Sequence, residues 1–345
     1  MTVSWVTKPA AATLLATLTL GAALTAHAQD SLPRGWRGQG FVGSTRIGLA
    51  ASYQPNLLSS APRASLFSAS VAVVPIVSDH WEVGVNPILT RASQLGTYYQ
   101  GTLAVVANYL LGSGDVSRPY AGGYLSETGA THSRGSAAWG IQAGWLHFLS
   151  PTIALRAEAR FRQYLGLAHN STGDVFVTFD PYIRDRANER IEKLPGLGVF
   201  DATVIADLEL RPGTVGQING AIAPFLARWL QVGGREMFAF QFDQNEGSHY
   251  LELFGRGYLP VDRRIVPFAD LYTSVTQQTR EVAPDHSHGE RVGVRGYLTA
   301  GVAMDIAWEW RDYTEGHGGN FVFPPHEERV MTVSLTTQFR AARAR

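Results

Sequence analysis

The chain has 345 residues, in which 29 Lys and Arg balance 29 Asp and Glu, with no Cys but 36 Gly, 16 Phe, 13 Tyr and 8 Trp. Even charge removes any bulk electrostatic case for a nucleic-acid partner, and the lack of Cys excludes both a disulfide framework and thiolate chemistry. Beyond the N-terminal segment no run of about 18 apolar residues occurs, which excludes a transmembrane helix, whereas Gly and aromatics in this abundance suit β structure.

The first element is a targeting segment. Lys8 is followed by an Ala/Leu/Thr-rich apolar stretch from Ala10 to Thr25, then Ala26-His27-Ala28 and Gln29-Asp30. Small residues at −1 and −3 predict cleavage after Ala28. Residues 1–28 are thus expected to be a signal peptide and residues 29–345 the mature protein.

Alternation then dominates. From Ile153 to Tyr164 the odd positions are Ile153, Leu155, Ala157, Ala159 and Phe161, while Arg156, Glu158, Arg160 and Arg162 fall on even ones. A strand sends successive side chains to opposite faces, so one face is apolar and the other charged. Val199 to Arg211 repeats this, with Phe200, Ala202, Val204, Ala206, Leu208 and Leu210 against Asp201, Asp207, Glu209 and Arg211. Val302 to Tyr313 sets Val302, Met304, Ile306, Trp308 and Trp310 against Asp305, Glu309 and Arg311. A helix would scatter these charges around its axis. A soluble sandwich also alternates, but the apolar faces carry Trp139, Trp145, Trp308, Trp310 and Phe339, as the aromatic girdles of a membrane barrel require.

In chain order the expected strands are 45–54, 65–77, 80–92, 98–112, 119–128, 136–149, 152–164, a doubtful 174–181, then 199–211, 217–230, 236–243, 249–259, 265–277, 291–299, 302–313 and 330–339. Only a closed barrel satisfies all backbone groups in lipid without helices. The fold expected is therefore all-β, a transmembrane antiparallel up-and-down barrel of about 14–16 strands, with two tandem eight-stranded barrels as the alternative. Ile183–Lys193, ahead of Pro195-Gly196, reads as a short helix in a loop or as a linker between two barrels. Lumen width separates the two: eight strands enclose only enough space for side chains, whereas a wider barrel keeps its interior charges in water.

The halves also look alike. Pro119-Tyr120-Ala121-Gly122-Gly123-Tyr124 matches Pro267-Phe268-Ala269-Asp270-Leu271-Tyr272, and Gly144-Trp145-Leu146 matches Gly296-Tyr297-Leu298. This gives a repeat over about 39–195 and 196–339. Tight turns at Ser150-Pro151 and Thr299-Ala300-Gly301 contrast with polar stretches at Glu127–Gly135, Glu281–Glu290 and Thr314–Glu328, expected as external loops. His286, His288, His317 and His326 would then lie outside the cell.

The Pro-Tyr-x-Gly-Gly-Tyr strand, the Gly-Trp-Leu strand ending at Leu149-Ser150-Pro151, the Leu155-Arg156-Ala157-Glu158 strand and the terminal Phe339 resemble the OmpX/OmpW-like outer-membrane β-barrel superfamily, here in an internally duplicated form. The resemblance implies a Gram-negative-type cell, an outer-membrane location, and outer-membrane lipids and barrel-assembly machinery as partners; it leaves a homo-oligomer open. The chain departs from the pattern by continuing past Phe339 as Arg340-Ala-Ala-Arg-Ala-Arg345.

His169-Asn170-Ser171 resembles the His-x-Ser of PagL-type lipid A deacylases, which would make His169 a base and Ser171 a nucleophile. The Asn and Asn-Pro-Gly that follow in that family are replaced by Thr172-Gly173-Asp174, and Asn-Ser-Thr-Gly is ordinary loop composition. Asp285-His286-Ser287-His288 has alternate imidazoles but no third ligand signature. No catalytic, cofactor or metal residue is therefore expected, and the chain is read as not an enzyme. Function falls to the inward face. Arg156, Glu158, Arg160, Arg162, Asp207, Glu209, Arg211, Asp305, Glu309 and Arg311 are expected to line a lumen with weak charge selectivity. The leading expectation is a porin-like passive channel for small solutes; a structural or surface-interaction barrel with a plugged interior is the alternative.

Overall fold

The computed structural model describes residues 43–54, 65–93, 97–112, 116–131, 133–165, 171–184, 197–210, 215–242, 246–259, 264–279, 284–299, 301–318, 321–323 and 326–340. The signal segment, His169, most of Ile183–Lys193 and the tail after Arg340 lie outside these residues.

The described chain is all strand: β1 (Ser44–Gln54), β2 (Ser65–Ser78), β3 (Trp81–Ser93), β4 (Thr97–Leu110), β5 (Ser117–Ala130), β6 (Ser133–Ser150), β7 (Ile153–Leu165), β8 (Ser171–Arg184), β9 (Val199–Leu210), β10 (Val215–Ala227), β11 (Leu230–Gln241), β12 (Glu246–Tyr258), β13 (Ile265–Gln278), β14 (Asp285–Thr299), β15 (Val302–Gly318), the short β16 (Phe321–Phe323) and β17 (His326–Arg340). β16 merely extends the β15–β17 hairpin, so the wall is a closed antiparallel up-and-down barrel of 16 long strands. The doubtful strand over 174–181 is real and longer, as β8.

Three of the expected external loops turn out to be mostly strand. Hairpins continue through Glu127–Ala130, from Asp285 onward and through Thr314–Gly318. The sequence reading stopped where alternation of apolar and polar residues stopped. Ladder pairing does not: cross-strand hydrogen bonds need no apolar face once a hairpin is registered. His286 and His288 therefore stand on β14 rather than in a loop.

The closure is not uniform along the barrel. At the end holding Ser44 and Arg340, β1 pairs with β8 (Ser44–Arg46 with Tyr182–Arg184) and β9 with β17 (Val199–Ala202 with Thr337–Arg340). Toward the other end β1 leaves β8 and pairs with β17 (Ala50–Tyr53 with Met331–Ser334), while β8 pairs with β9 (Gly173–Thr178 with Ile205–Leu210). The wall is thus one 16-stranded ring at the far end and pinches into two eight-stranded lobes, β1–β8 and β9–β17, at the terminal end.

Side chains explain why the pinch holds. The lobes turn their outward, apolar faces to each other there. Leu149, Ile153 and Phe179 of the first lobe are buried against Ala202 and Val204 of the second, with Leu155, Phe200 and Phe339 packed alongside. The Phe339 ring stacks on Phe200 at 5.5 Å and lies 5.4 Å from Phe179. Phe339, expected in a lipid-facing girdle, instead fills the seam, where it removes apolar surface from contact with water or lipid. Trp139 and Trp145 do face outward.

Each two-residue turn at the terminal end is preceded by a register shift, at Ile76/Ser78, Phe148/Ser150, Phe225/Ala227 and Tyr297/Thr299. An extra residue bends a strand and raises its local twist, which suits a rim curling into narrow lobes. Inside, aromatic rings lie on glycines across strand pairs: Tyr120 opposite Gly144 and Phe268 opposite Gly293. A Cβ on either glycine would collide with the ring and a facing carbonyl. Gly293, not Gly296, holds the place opposite Phe268 that Gly144 holds opposite Tyr120.

Candidate functional site

The interior of each lobe is built in layers. In the first, the terminal end is closed by Ile76, Leu110, Leu146, Phe148, Ala154 and Tyr182, all fully buried. Above them Arg156 donates to Glu82 at 2.9 Å, to Asp180 at 2.6 Å and to the Tyr182 hydroxyl at 3.0 Å. Asn108 donates to Glu82 at 2.8 Å, and Arg46 reaches it at 3.3 Å. Tyr120 donates to Glu158 at 2.5 Å.

The second lobe follows the same plan with different residues. Phe225, Tyr258, Val266, Phe268, Tyr297 and Ala303 form its apolar base. Arg295 bonds Asp305 at 2.6 Å and Asp201 at 2.6 Å, and Arg256 bonds Asp270 at 2.7 Å and Asp305 at 2.9 Å. Gln231 and Gln338 each donate to Asp201 at 2.8 Å. A further layer joins Arg291 to Glu252 at 2.5 Å and to Glu309 at 3.0 Å. Charges this deep are tolerable only when paired and hydrogen-bonded. An eight-stranded interior offers little room for anything besides side chains, and these lobes are filled accordingly.

The expected lumen-lining residues divide by depth. Arg156, Glu158, Asp305 and Glu309 face inward but are buried in the networks, contrary to an expectation of charges standing in open water; the pinch narrows the wall around them. Arg160, Arg162 and Arg311 occupy the outer parts of their strands and stay partly exposed. Asp207 lies opposite the inward Phe176 and is partly buried. Glu209 pairs with Asp174 through the backbone; its side chain, and Arg211 entirely, lie outside the described residues. Sequence reasoning missed Arg46, Glu82, Asp180, Arg256, Arg291 and Arg295. The same rule would have found Arg291 and Arg295, which alternate with outward Val292 and Val294 on β14.

Among the described residues a Tyr–Arg–Tyr arrangement is found in each lobe. Arg162 donates to Tyr124 and Tyr164, both at 3.0 Å. Arg311 donates to Tyr272 at 3.0 Å and Tyr313 at 3.1 Å. Ser171, half of the His-x-Ser pair, opens β8. Among the described residues no group of three or more His, Cys, Asp or Glu is placed to hold a metal, and no helix is long and apolar enough to cross a membrane.

No protein-family model matches the sequence, and no curated protein does. Among solved structures the chain is similar to a bacterial polysaccharide outer membrane secretin, at 10% identity and a TM-score of 0.46, covering 88% of this chain and 99% of that one. It is similar to the CymD monoaromatic hydrocarbon channel at 11% identity and a TM-score of 0.38, covering 88% and 90%. It is also similar to OccK11 (OpdR) of Pseudomonas aeruginosa at 9% identity and a TM-score of 0.34, covering 88% and 98%. By name the first is an outer membrane secretin and the second a hydrocarbon channel, and what they pass or secrete belongs to them. This chain's own sheet is a closed barrel of 16 antiparallel strands.

Proposed function

We propose that this protein is an outer-membrane, porin-like barrel closed at its inner end, acting at the cell surface as an interaction or structural barrel that conducts little. One observation carries the reading: both lobes are filled across their width by buried ion-paired side chains, with Arg156 and Arg295 each only 1% exposed, above apolar bases. The outward face supports a lipid setting, since Leu103, Val105, Leu125, Ile141, Val292 and Ile306 are all exposed on it. Outer-membrane barrels keep their short turns in the periplasm, so the pinched end, with its two-residue turns, is the periplasmic one. Membrane lipids and barrel-assembly machinery are the partners this location entails. Each lobe also has eight long strands, in keeping with two OmpX/OmpW-like units in one duplicated chain, and the two Tyr–Arg–Tyr arrangements fit that reading. Purified protein in planar bilayers should give no steady conductance of porin size; regular large steps would overturn the proposal.

A second reading, the passive channel for small solutes, is favoured by the shortness of the seam. Three β1–β8 and four β9–β17 paired positions close the inner end, against ten or more between most neighbouring strands, such as β3 and β4. Separation there would leave one continuous 16-stranded wall. On this reading conductance appears as rare openings, and Arg160→Glu with Arg162→Glu shifts their reversal potential toward cation preference; an unshifted potential contradicts it. No catalytic role is proposed for Ser171.

A further inference from the structure

The ion pairs in the outer halves of the lobes share an orientation. Arg160 is 28% exposed over a Glu158 that is 2% exposed, and Arg235 is 42% exposed over a Glu252 at 0%. Arg162 over Asp174 and Arg311 over Glu309 have the same order. In every case the guanidinium is the more exposed member of the pair. Opposite charges cancel at long range, but at contact distance these four pairs present N–H donors, with Glu328, opposite Arg311, as a partly exposed carboxylate in the same layer.

These guanidiniums also keep unused donors. Arg carries five N–H groups. Arg162 commits donors to Tyr124, Tyr164 and, at 3.4 Å, Asp174; Arg311 commits them to Tyr272, Tyr313 and Glu309. Among the described residues Arg160 bonds Glu158 alone, with its guanidinium carbon 5.0 and 4.9 Å from the Tyr124 and Phe176 ring centroids. Arg235 makes no hydrogen bond with a described residue. Its nearest carboxylate, Glu252, is 3.8 Å away and already accepts from Arg291 and Tyr250, each at 2.5 Å. It faces inward, since β11 pairs it with Glu252 while neighbouring Gly234 abuts the outward Leu253.

We propose that Arg160, Arg162, Arg235 and Arg311 form a receiving surface for small solutes bearing an oxyanion, a carboxylate or a phosphate, that enter from the outer end. The chemistry follows from the fork of donors, which matches planar or tetrahedral oxyanions and repels cations. The buried carboxylates and tyrosine hydroxyls fix the planes of Arg160, Arg162 and Arg311 beforehand, so little rotamer freedom is lost there on binding. The inference rests on a water-filled outer half, and it deepens the surface-barrel reading by naming what that half would take.

The full chain in detergent is titrated with inorganic phosphate by calorimetry, with succinate as competitor and choline as cationic control. Phosphate should bind saturably, succinate should displace it and choline should not. Arg235→Gln with Arg311→Gln should weaken phosphate about tenfold or more, as loss of charge-assisted bonds does, while Arg235→Lys retains part of the affinity. Folding of each variant is checked by the mobility of unheated samples on gels. Arg235→Gln alone carries the test if the double variant does not fold, because Arg235 holds no structural hydrogen bond among the described residues. Absent saturable binding, undiminished affinity in the variants, or equal binding of choline would each overturn the proposal. Bilayer conductance is measured apart, so a leaky barrel that binds phosphate and a closed barrel that does not are distinguishable failures.

Discussion

Arg295→Met should be among the most damaging single changes in the barrel. Arg295 is buried and bridges Asp305 and Asp201, with Nε and Nη2 on the first and Nη1 on the second, all at 2.6–2.7 Å. Asp305 keeps Arg256 when Arg295 is lost. Among the described residues Asp201 keeps only the two glutamines and no cation. Removing one partner of a buried pair costs about 3–5 kcal/mol because it strands the other charge, and we expect the effect in that range. The contrasting change is Arg160→Met, at a partly exposed pair, with an expected cost of about 1 kcal/mol or less. Both are measured by urea unfolding from lipid vesicles, followed by tryptophan fluorescence and by gel mobility of unheated protein. Adding Asp201→Asn to Arg295→Met should restore part of the loss, with a coupling of about 1–3 kcal/mol. If Arg295→Met costs no more than Arg160→Met, the second lobe is not packed as described and water reaches Asp201.

Three further outcomes follow from the packing. Phe339→Ala should cost about 2–3 kcal/mol by emptying the seam between Phe179 and Phe200, read by the same unfolding assay; an equal cost for Leu253→Ala, on the exposed outward face, would refute a special role. Gly144→Val and Gly293→Val should each destabilise by about 1–3 kcal/mol through overpacking against Tyr120 and Phe268, and Gly144→Val with Tyr120→Ala should recover much of it. Ile141→Arg, on the exposed outward face of β6, should cost about 2–4 kcal/mol if it lies near the membrane midplane, whereas an unchanged midpoint would place that face in water.

Alternation made the wall legible. Every strand expected from the sequence exists, and the Arg156–Arg162 row faces inward, because period two is a property of each strand alone. The pinch was not legible. Whether β1 pairs with β8 or with β17 depends on contacts between segments far apart in the chain, and Ala50 and Ser334 carry no local mark of their pairing. The burial of Glu158 and Glu309 was hidden for the same reason, since depth depends on how many strands surround a layer. Phe339 misled because an outward aromatic reads alike whether it faces lipid or the outward face of another lobe. Arg291 and Arg295 were readable, but the outward positions before them are His286, His288 and Glu290, so no apolar face marked β14 back to Asp285.

The pinched closure can be tested by cross-linking, since the chain has no native Cys to interfere. Thr45→Cys with Ile183→Cys joins β1 to β8 at the pinched end, and Val177→Cys with Ala206→Cys joins β8 to β9 beyond it; both are directly paired positions, within the Cα separation a disulfide spans. The account expects both bonds to form under mild oxidation of the folded protein in membranes, each on its own and both in a single chain. A plain 16-stranded barrel, in which β8 stays beside β9 and β1 beside β17 throughout, would yield the 177–206 bond and leave 45 and 183 unjoined, and that result would contradict the two-lobed interior.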